Sequence, residues 1–299
     1  MLLPFIQAIV PVLICAGLGA WLARKTTLLN NPALPELVTR IGLPCLILHA
    51  LVKMDSGIMA MSHTVAAIVL VLVISATVAA GVMKLLGIEI RWYLSLLVNP
   101  NTGNLGIPLV VALLGDKALI HAVVISTVVQ ISHFTLGVWV MSGAFSPKKI
   151  LLNPSIIALV LGGLWIALGI PTPVAITRTL DLLSGMTLPI MLLLLGRSLA
   201  TIDLRNMANL KLIGGMSLAR VLLGTGVALL VAQLLGLDPL VAHTLVLQSA
   251  MPVAVITYIL ASQYGGPRDE VAAIIMGSTL LSMLMALVLS LVYLHPITV

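Results

Sequence analysis

The sequence predicts an all-α integral membrane protein of ten transmembrane helices, and three observations carry that prediction. Of its 299 residues 61% are hydrophobic and only 8% are charged, where a soluble domain typically carries about 25% charged residues. The mean hydropathy is +1.22. Apolar runs of roughly 20 residues, the length that crosses a hydrocarbon core about 30 Å thick, succeed one another with only short breaks of charge, Gly and Pro.

Taken in order, the first run, at 4–23, has no basic stretch before it and is followed by Arg24-Lys25, the reverse of a secretory signal's charge order, so it is read as a retained first helix. Runs near 35–52, 63–86, 91–114 and 118–142 make up a first set of five. After a polar stretch with Lys148-Lys149, a second set falls near 154–170, 174–200, 211–235, 239–263 and 269–294. The expected organisation is a first five-helix repeat over 1–142, a cytoplasmic linker over 143–153 and a second repeat over 154–299.

Basic residues set the expected orientation. Odd-numbered loops hold nine of them, Arg24, Lys25, Lys84, Arg91, Lys148, Lys149, Arg205, Lys211 and Arg268, against three in even loops, Lys53, Lys117 and Arg178. By the positive-inside rule the odd loops are cytoplasmic and both termini extracytoplasmic, in a multi-pass protein of the cell (inner) membrane. The net charge of +6 is then a topology signal rather than a nucleic-acid footprint.

An internal repeat supports two halves. Leu43-Pro44 in the second span recurs as Leu188-Pro189 in the seventh, Pro100 in the fourth as Pro252 in the ninth, and Ser126-Thr127 in the fifth as Ser278-Thr279 in the tenth. The last two pairs share an offset of 152 residues, about half the chain. Halves of five spans each, an odd number, must be inverted relative to one another in the membrane.

The fourth span carries Asn99-Pro100-Asn101-Thr102-Gly103-Asn104 in the middle of an apolar segment. Pro100 lacks a donor and clashes with the preceding turn, and glycine weakens a helix, so a break is expected. Broken backbone at membrane depth persists only where protein or water satisfies it, so the break should line a cavity. Asn104 is expected to cap a second half-helix, whose free N–H groups and positive dipole end attract anions. The ninth span repeats the theme at Gln248-Ser249-Ala250-Met251-Pro252, and in an inverted repeat the two breaks would cross. On a purely structural reading, the prolines only kink helices and the asparagines satisfy freed carbonyls.

Neither broken span contains Asp or Glu, which favours an anionic over a cationic substrate. Arg220, nine residues into the eighth span, either balances a substrate carboxylate or snorkels toward the cytoplasm. His133 either carries a coupling proton or is a hydrogen-bonded packing residue. His49 and His121 have no ligand-spaced partners, and neither a catalytic motif nor a Gly-rich phosphate loop occurs, so no enzyme, no metal site and no cofactor are expected. Cys15 and Cys45 fall inside apolar runs and offer neither a disulfide framework nor a CxxC motif.

The stretches NPNTGNLGIPL at 99–109, LPIMLLLLGRSLA at 188–200, QSAMPVAVITYILASQYGG at 248–266 and STLLS at 278–282 resemble the auxin efflux carrier family of plants and bacteria. The resemblance covers the whole chain by span count, and the short Lys148-Lys149 linker suits a bacterial member. It implies two inverted five-helix repeats as in bile acid sodium symporters, broken crossing helices four and nine in a mobile part beside a scaffold, and elevator-like alternating access. It also implies organic anion substrates such as auxin-like acids, malate or malonate. In one departure, many relatives have Asn where this chain has Ile256, with Thr257 as the available polar neighbour.

The expected protein is therefore a secondary carrier of a small organic anion in the lipid bilayer, forming a homodimer, with H⁺ or Na⁺ as the conceivable coupling ion. Asn101, Asn104, Gln248 and Thr257 are the expected substrate ligands; Asn99, Pro100, Gly103, Met251 and Pro252 are expected to shape the crossing. Alternatives are a sodium-coupled symporter of the bile-acid type and, as a third class, a channel or an intramembrane enzyme.

Overall fold

Hydrocarbon offers backbone polar groups no water, so a chain this apolar must satisfy them internally, and helices do so within one segment. The computed structural model describes residues 2–31, 33–52, 58–143, 152, 154–200 and 209–294, and among these the chain is all-helical without a β-strand. The linker lysines Lys148 and Lys149, together with Lys53 and Arg205, lie outside the described residues.

In the first half, α1 (Leu2–Lys25) is followed by α2 (Ala33–Leu37), which runs through a π turn (Val38–Gly42) into α3 (Leu43–Val52), and by α4 (Ile58–Leu86). The fourth predicted span is two pieces: α5 (Ile90–Val98), then a π turn (Thr102–Gly106) leading into α6 (Ile107–Leu114). The fifth is α7 (Leu119–Ser132), a third such turn (His133–Gly137) and α8 (Val138–Ser142).

The second half contains α9 (Pro154–Ala167), α10 (Val174–Gly185), α11 (Thr187–Ala200), α12 (Leu210–Leu234), α13 (Pro239–Ser249), α14 (Val255–Gln263) and α15 (Arg268–Val292). Local sequence sets several of these ends. Asn209 accepts from the Leu212 N–H at 3.2 Å to start α12. Gly236, at φ +55°, turns the chain after it, and Asp238 then caps α13 with Pro239 as its first residue.

Among the described residues five helices are long and apolar enough to cross a membrane: Met61–Leu86, Asp116–Ser142, Val174–Arg197, Leu210–Leu234 and Arg268–Val292. The fourth and ninth predicted spans are not among them because each is divided into two half-helices by an extended stretch.

Two packing groups stand out, joined by contacts of α1 with α6 and of α3 with α7. In one, α1 lies along α11, and α9 and α10 both pack on α3; in the other, α12 packs on α4, α13 and α15, and α4 on α5 and α7. The α1–α11 contact depends on absent side chains. A Cβ on Gly19 would run into the Leu193 carbonyl, and one on Gly196 into the Ala16 carbonyl. Small residues of this kind let helices approach in a membrane, where burial of apolar surface gives no preference for protein over lipid.

On α15, Leu280, Leu284, Val288 and Leu291 are exposed, while Ser278, Ser282 and Ala286 are fully buried. Leucine outside and serine inside is the arrangement expected of a helix with lipid on one side and polar backbone to satisfy on the other.

The Gly196→Ala variant is expected to lose about 1–3 kcal/mol of stability, because neither backbone can yield to the added methyl. Thermal unfolding in detergent checks this, and an unchanged midpoint would contradict the packing described.

Candidate functional site

Each break contains a proline, Pro100 in the first and Pro252 in the second. The residue before proline is pushed toward extended conformations, and Asn99 has φ −104° and ψ 100°, which ends α5 at Val98. The two extended stretches lie side by side: Pro100 and Val253 form an antiparallel bridge, and the Asn101 N–H donates to the Pro252 carbonyl at 2.7 Å. The tenth span satisfies the rest of the second break. Ser278 Oγ accepts from the Val253 N–H at 3.1 Å, and Ser282 Oγ donates to the Ala250 carbonyl at 2.8 Å. Ser126, the counterpart of Ser278 in the fifth span, accepts from Thr102 Oγ1 at 3.3 Å. The adjoining Thr127 and Thr279 both bond back to the carbonyl four residues earlier.

The C-terminal ends of both first half-helices meet one side chain. Arg220, the eleventh residue of α12 and only 1% exposed, donates Nη2 to the Ser249 carbonyl at 2.6 Å and Nε to the Met251 carbonyl at 3.2 Å. Its Nη1 donates to the Leu97 carbonyl at the end of α5. Helix C-termini carry bare carbonyls and a negative dipole end, and the planar guanidinium fork matches several acceptors at once. One turn on, Gly224 leaves room, since a Cβ there would overlap the Ser249 carbonyl. Arg220 therefore neither snorkels nor reaches the cavity described next.

The N-terminal ends of the second half-helices border a cavity of about 160 Å³. It is walled by Pro100, Asn101, Thr102, Gly103 and Asn104 of the first break and by Ala254, Val255 and Ile256 at the start of α14. The fifth span adds Ser126, Val129, Gln130 and His133, and the second span Val38, Thr39 and Leu43. An apolar cavity of about 150 Å³ holds benzene, so the space suits a molecule of about six or seven non-hydrogen atoms. No Asp, Glu, Lys or Arg is among these wall residues. The positive character of the site comes from the first turns of two helices, whose leading N–H groups have no carbonyl one turn back to bond.

Of the residues singled out in the sequence, Pro100, Asn101, Gly103, Asn104 and His133 border this cavity. Asn104 does not cap the half-helix. The helical turn begins at Thr102 with Asn101 in the capping position, because the extended stretch imposed by Pro100 ends there, and Asn104 sits within the first turn.

Asn99, Gln248, Met251, Pro252 and Thr257 lie behind the wall, each buried. Gln248 donates Nε2 to the Ala122 carbonyl at 3.3 Å, and its Oε1 presses on Gly106, where a Cβ would overlap it. Asn99 Nδ2 donates to Ser95 Oγ at 3.1 Å. Ile256, at the departure from the family pattern, is itself part of the wall.

Sequence reasoning missed Thr39 and Gln130 and noted Ser126 only as a repeat marker. The available signal was the spacing of Ser126, Gln130 and His133, which places three polar groups on one face of the helix.

Two broken helices that aim their N-termini at a shared cavity in an apolar helical bundle are the architecture of a membrane transport protein. The chain matches the family described as "Membrane transport protein" over residues 4–144 and 138–290, and it belongs to that family, the membrane transporters of auxin efflux carrier type. It is also similar to a protein of Rhizobium meliloti (strain 1021) named "Putative malonate transporter", with 28% identity over 207 residues. That match takes in 65% of this chain and 63% of the relative, so less than two thirds of the relative's length is spanned.

Replacing Arg220 with Met removes three charged hydrogen bonds from buried carbonyls, and about 3–5 kcal/mol of stability should go with them. Arg220→Lys, which cannot fork to three acceptors, is expected to fall between. Thermal melts of the three proteins in detergent check the order, and a Met variant as stable as the parent would refute the clamp.

Proposed function

We propose that the protein is a secondary carrier of small organic anions, with dicarboxylates of the size of malonate as the substrates that fit the cavity as it stands. The observation that carries this reading is the pair of half-helix N-termini on a cavity of about 160 Å³ whose wall holds no carboxylate. Fixed N–H groups attract an anion without a permanent counter-charge, and Asn101 and Asn104 orient it with their amides. The relative's name points to the same class of substrate.

In this reading the chain forms ten spans as two inverted five-helix repeats, over 1–142 and 154–299, and assembles as a homodimer in the cell membrane with both termini outside. The paired roles of Ser126 and Ser278 at equivalent breaks support the repeat. The cavity takes its walls from both packing groups, since Val38, Thr39 and Leu43 belong to the α3 side. Sliding one group past the other would therefore open the site to alternate faces, an elevator-like movement.

A sodium-coupled variant of the same carrier is favoured by one specific observation. Asn99 Oδ1, Gln248 Oε1 and Thr257 Oγ1 are buried with no hydrogen-bond partner, and oxygens of this kind suit a hard cation. Dependence of transport on Na⁺ separates the two variants.

The test is counterflow of labelled malonate in proteoliposomes. Saturable counterflow is expected, falling about tenfold or more in kcat/KM for Asn101→Ala, the loss of one well-placed polar contact. A parent protein that exchanges neither malonate nor malate, with or without Na⁺, would count against the carboxylate reading.

A further inference from the structure

We propose that His133 takes up a proton together with the transported anion, making the carrier proton-coupled through this side chain. The inference rests on the anion-carrier reading above and adds to it the coupling ion and the residue that holds it.

The argument begins with the ring's tautomer. His133 Nδ1 lies 3.1 Å from the Val129 carbonyl oxygen, one turn earlier in its own helix. A carbonyl only accepts, so Nδ1 carries its hydrogen whether or not the ring is charged. In the neutral ring Nε2 is then a bare lone pair. That nitrogen is buried and has no hydrogen-bond partner, on a side chain that is 4% exposed and forms part of the cavity wall. An unprotonated Nε2 presents a carboxylate with lone pair against lone pair. A proton on Nε2 converts the same atom into a charged donor.

The surroundings make that proton conditional on the anion. The titratable groups on the elements around His133 are His121 on α7, Arg91 and Tyr93 on α5, Tyr258 on α14, Glu36 and Arg40 in and just before the π turn of the second span, Cys45 and His49 on α3, and Lys211 and Arg220 on α12. Arg91 donates to the Met141 carbonyl and Tyr93 to Glu270; Glu36 and Arg40 pair with each other at 2.8 Å in an exposed position.

None of these carboxylates belongs to the cavity wall, and Arg220, which acts on His133 electrostatically, is already positive. A protonated His133 in an empty cavity would be a further buried charge without a counter-ion, an expensive state. With a carboxylate in the cavity the counter-ion is the cargo. Proton and anion thus favour each other's binding, and by linkage the coupling is reciprocal. The transported pair is one proton on Nε2 and one anion, both released when the site opens to the other face.

The experiment uses the full-length protein in proteoliposomes carrying a trapped pH dye, with malonate as the probe, and compares the parent with His133→Gln. In the parent, malonate entry should acidify the lumen, and the KM for malonate should drop about tenfold between about pH 8 and about pH 6, because the ring is neutral in the empty site and each bound anion must bring a proton to it. His133→Gln should lose the proton signal, and the malonate counterflow that it retains should show a KM that changes less than about twofold over the same range.

A parent KM that is flat across this range overturns the proposal whatever the variant does. So does a His133→Gln protein that still moves protons with malonate. In both cases counterflow persists and the anion-carrier reading stands. Absence of counterflow in the parent overturns both readings together.

Discussion

Arg220 joins the ends of two helices that stop in the interior of the protein. The α5 and α13 half-helices each finish with carbonyls that have no turn after them, and in an apolar surrounding every such group left alone costs several kcal/mol. One guanidinium on a third helix takes three of them, from Leu97, Ser249 and Met251. Because both negative ends are gathered there, the chain leaves each break in the opposite sense, and the positive ends at Thr102 and Val255 face the cavity instead. The electrostatic polarity of the site follows from the clamp.

Under the proposed function, a site built in this way holds its anion through backbone dipoles and amides, with no lysine or arginine among the wall residues. In the proposed carrier this division of labour eases release of the cargo: Arg220, buried at the crossing, is committed to carbonyls, and no ion pair between it and the cargo has to be broken. The antiparallel bridge at Pro100 and Val253, with Ser278 and Ser282 behind it, keeps the extended stretches satisfied while they stay unwound. Gly106 and Gly224 permit the close approaches to Gln248 and Ser249 that this arrangement demands.

Much of this was legible before any fold was known. Hydropathy marked the helices, and the dense run of Asn, Pro and Gly at 99–104 marked a break that had to line a cavity. Asn101 and Asn104, which the sequence placed at that break, border the cavity, and so does His133, which the sequence offered only as a proton carrier or a packing residue. The register within the break was not legible, and Asn104 was given the capping position that Asn101 occupies, since the helical turn begins at Thr102, where the extended stretch imposed by Pro100 ends. Gln248 and Thr257 looked like ligands because they are polar in an apolar span, but a polar residue one turn along faces another neighbour, and both lie behind the wall. Arg220 read equally well as a substrate partner or a snorkelling side chain, because the carbonyls it holds come from residues 29 to 123 positions away in the sequence.

By itself, the sequence determined that the chain is a bundle of apolar helices, that two of its spans are broken, and that no carboxylate lies in either broken span. These are consequences of local composition: transfer of side chains into hydrocarbon and the backbone limits of proline act residue by residue. Tertiary structure alone decided which helix ends meet, which charge they meet, and which faces of the fifth and second spans border the cavity. Those outcomes depend on the packing of segments far apart in the chain, where the glycines at 19, 196 and 224 set how closely two backbones can lie.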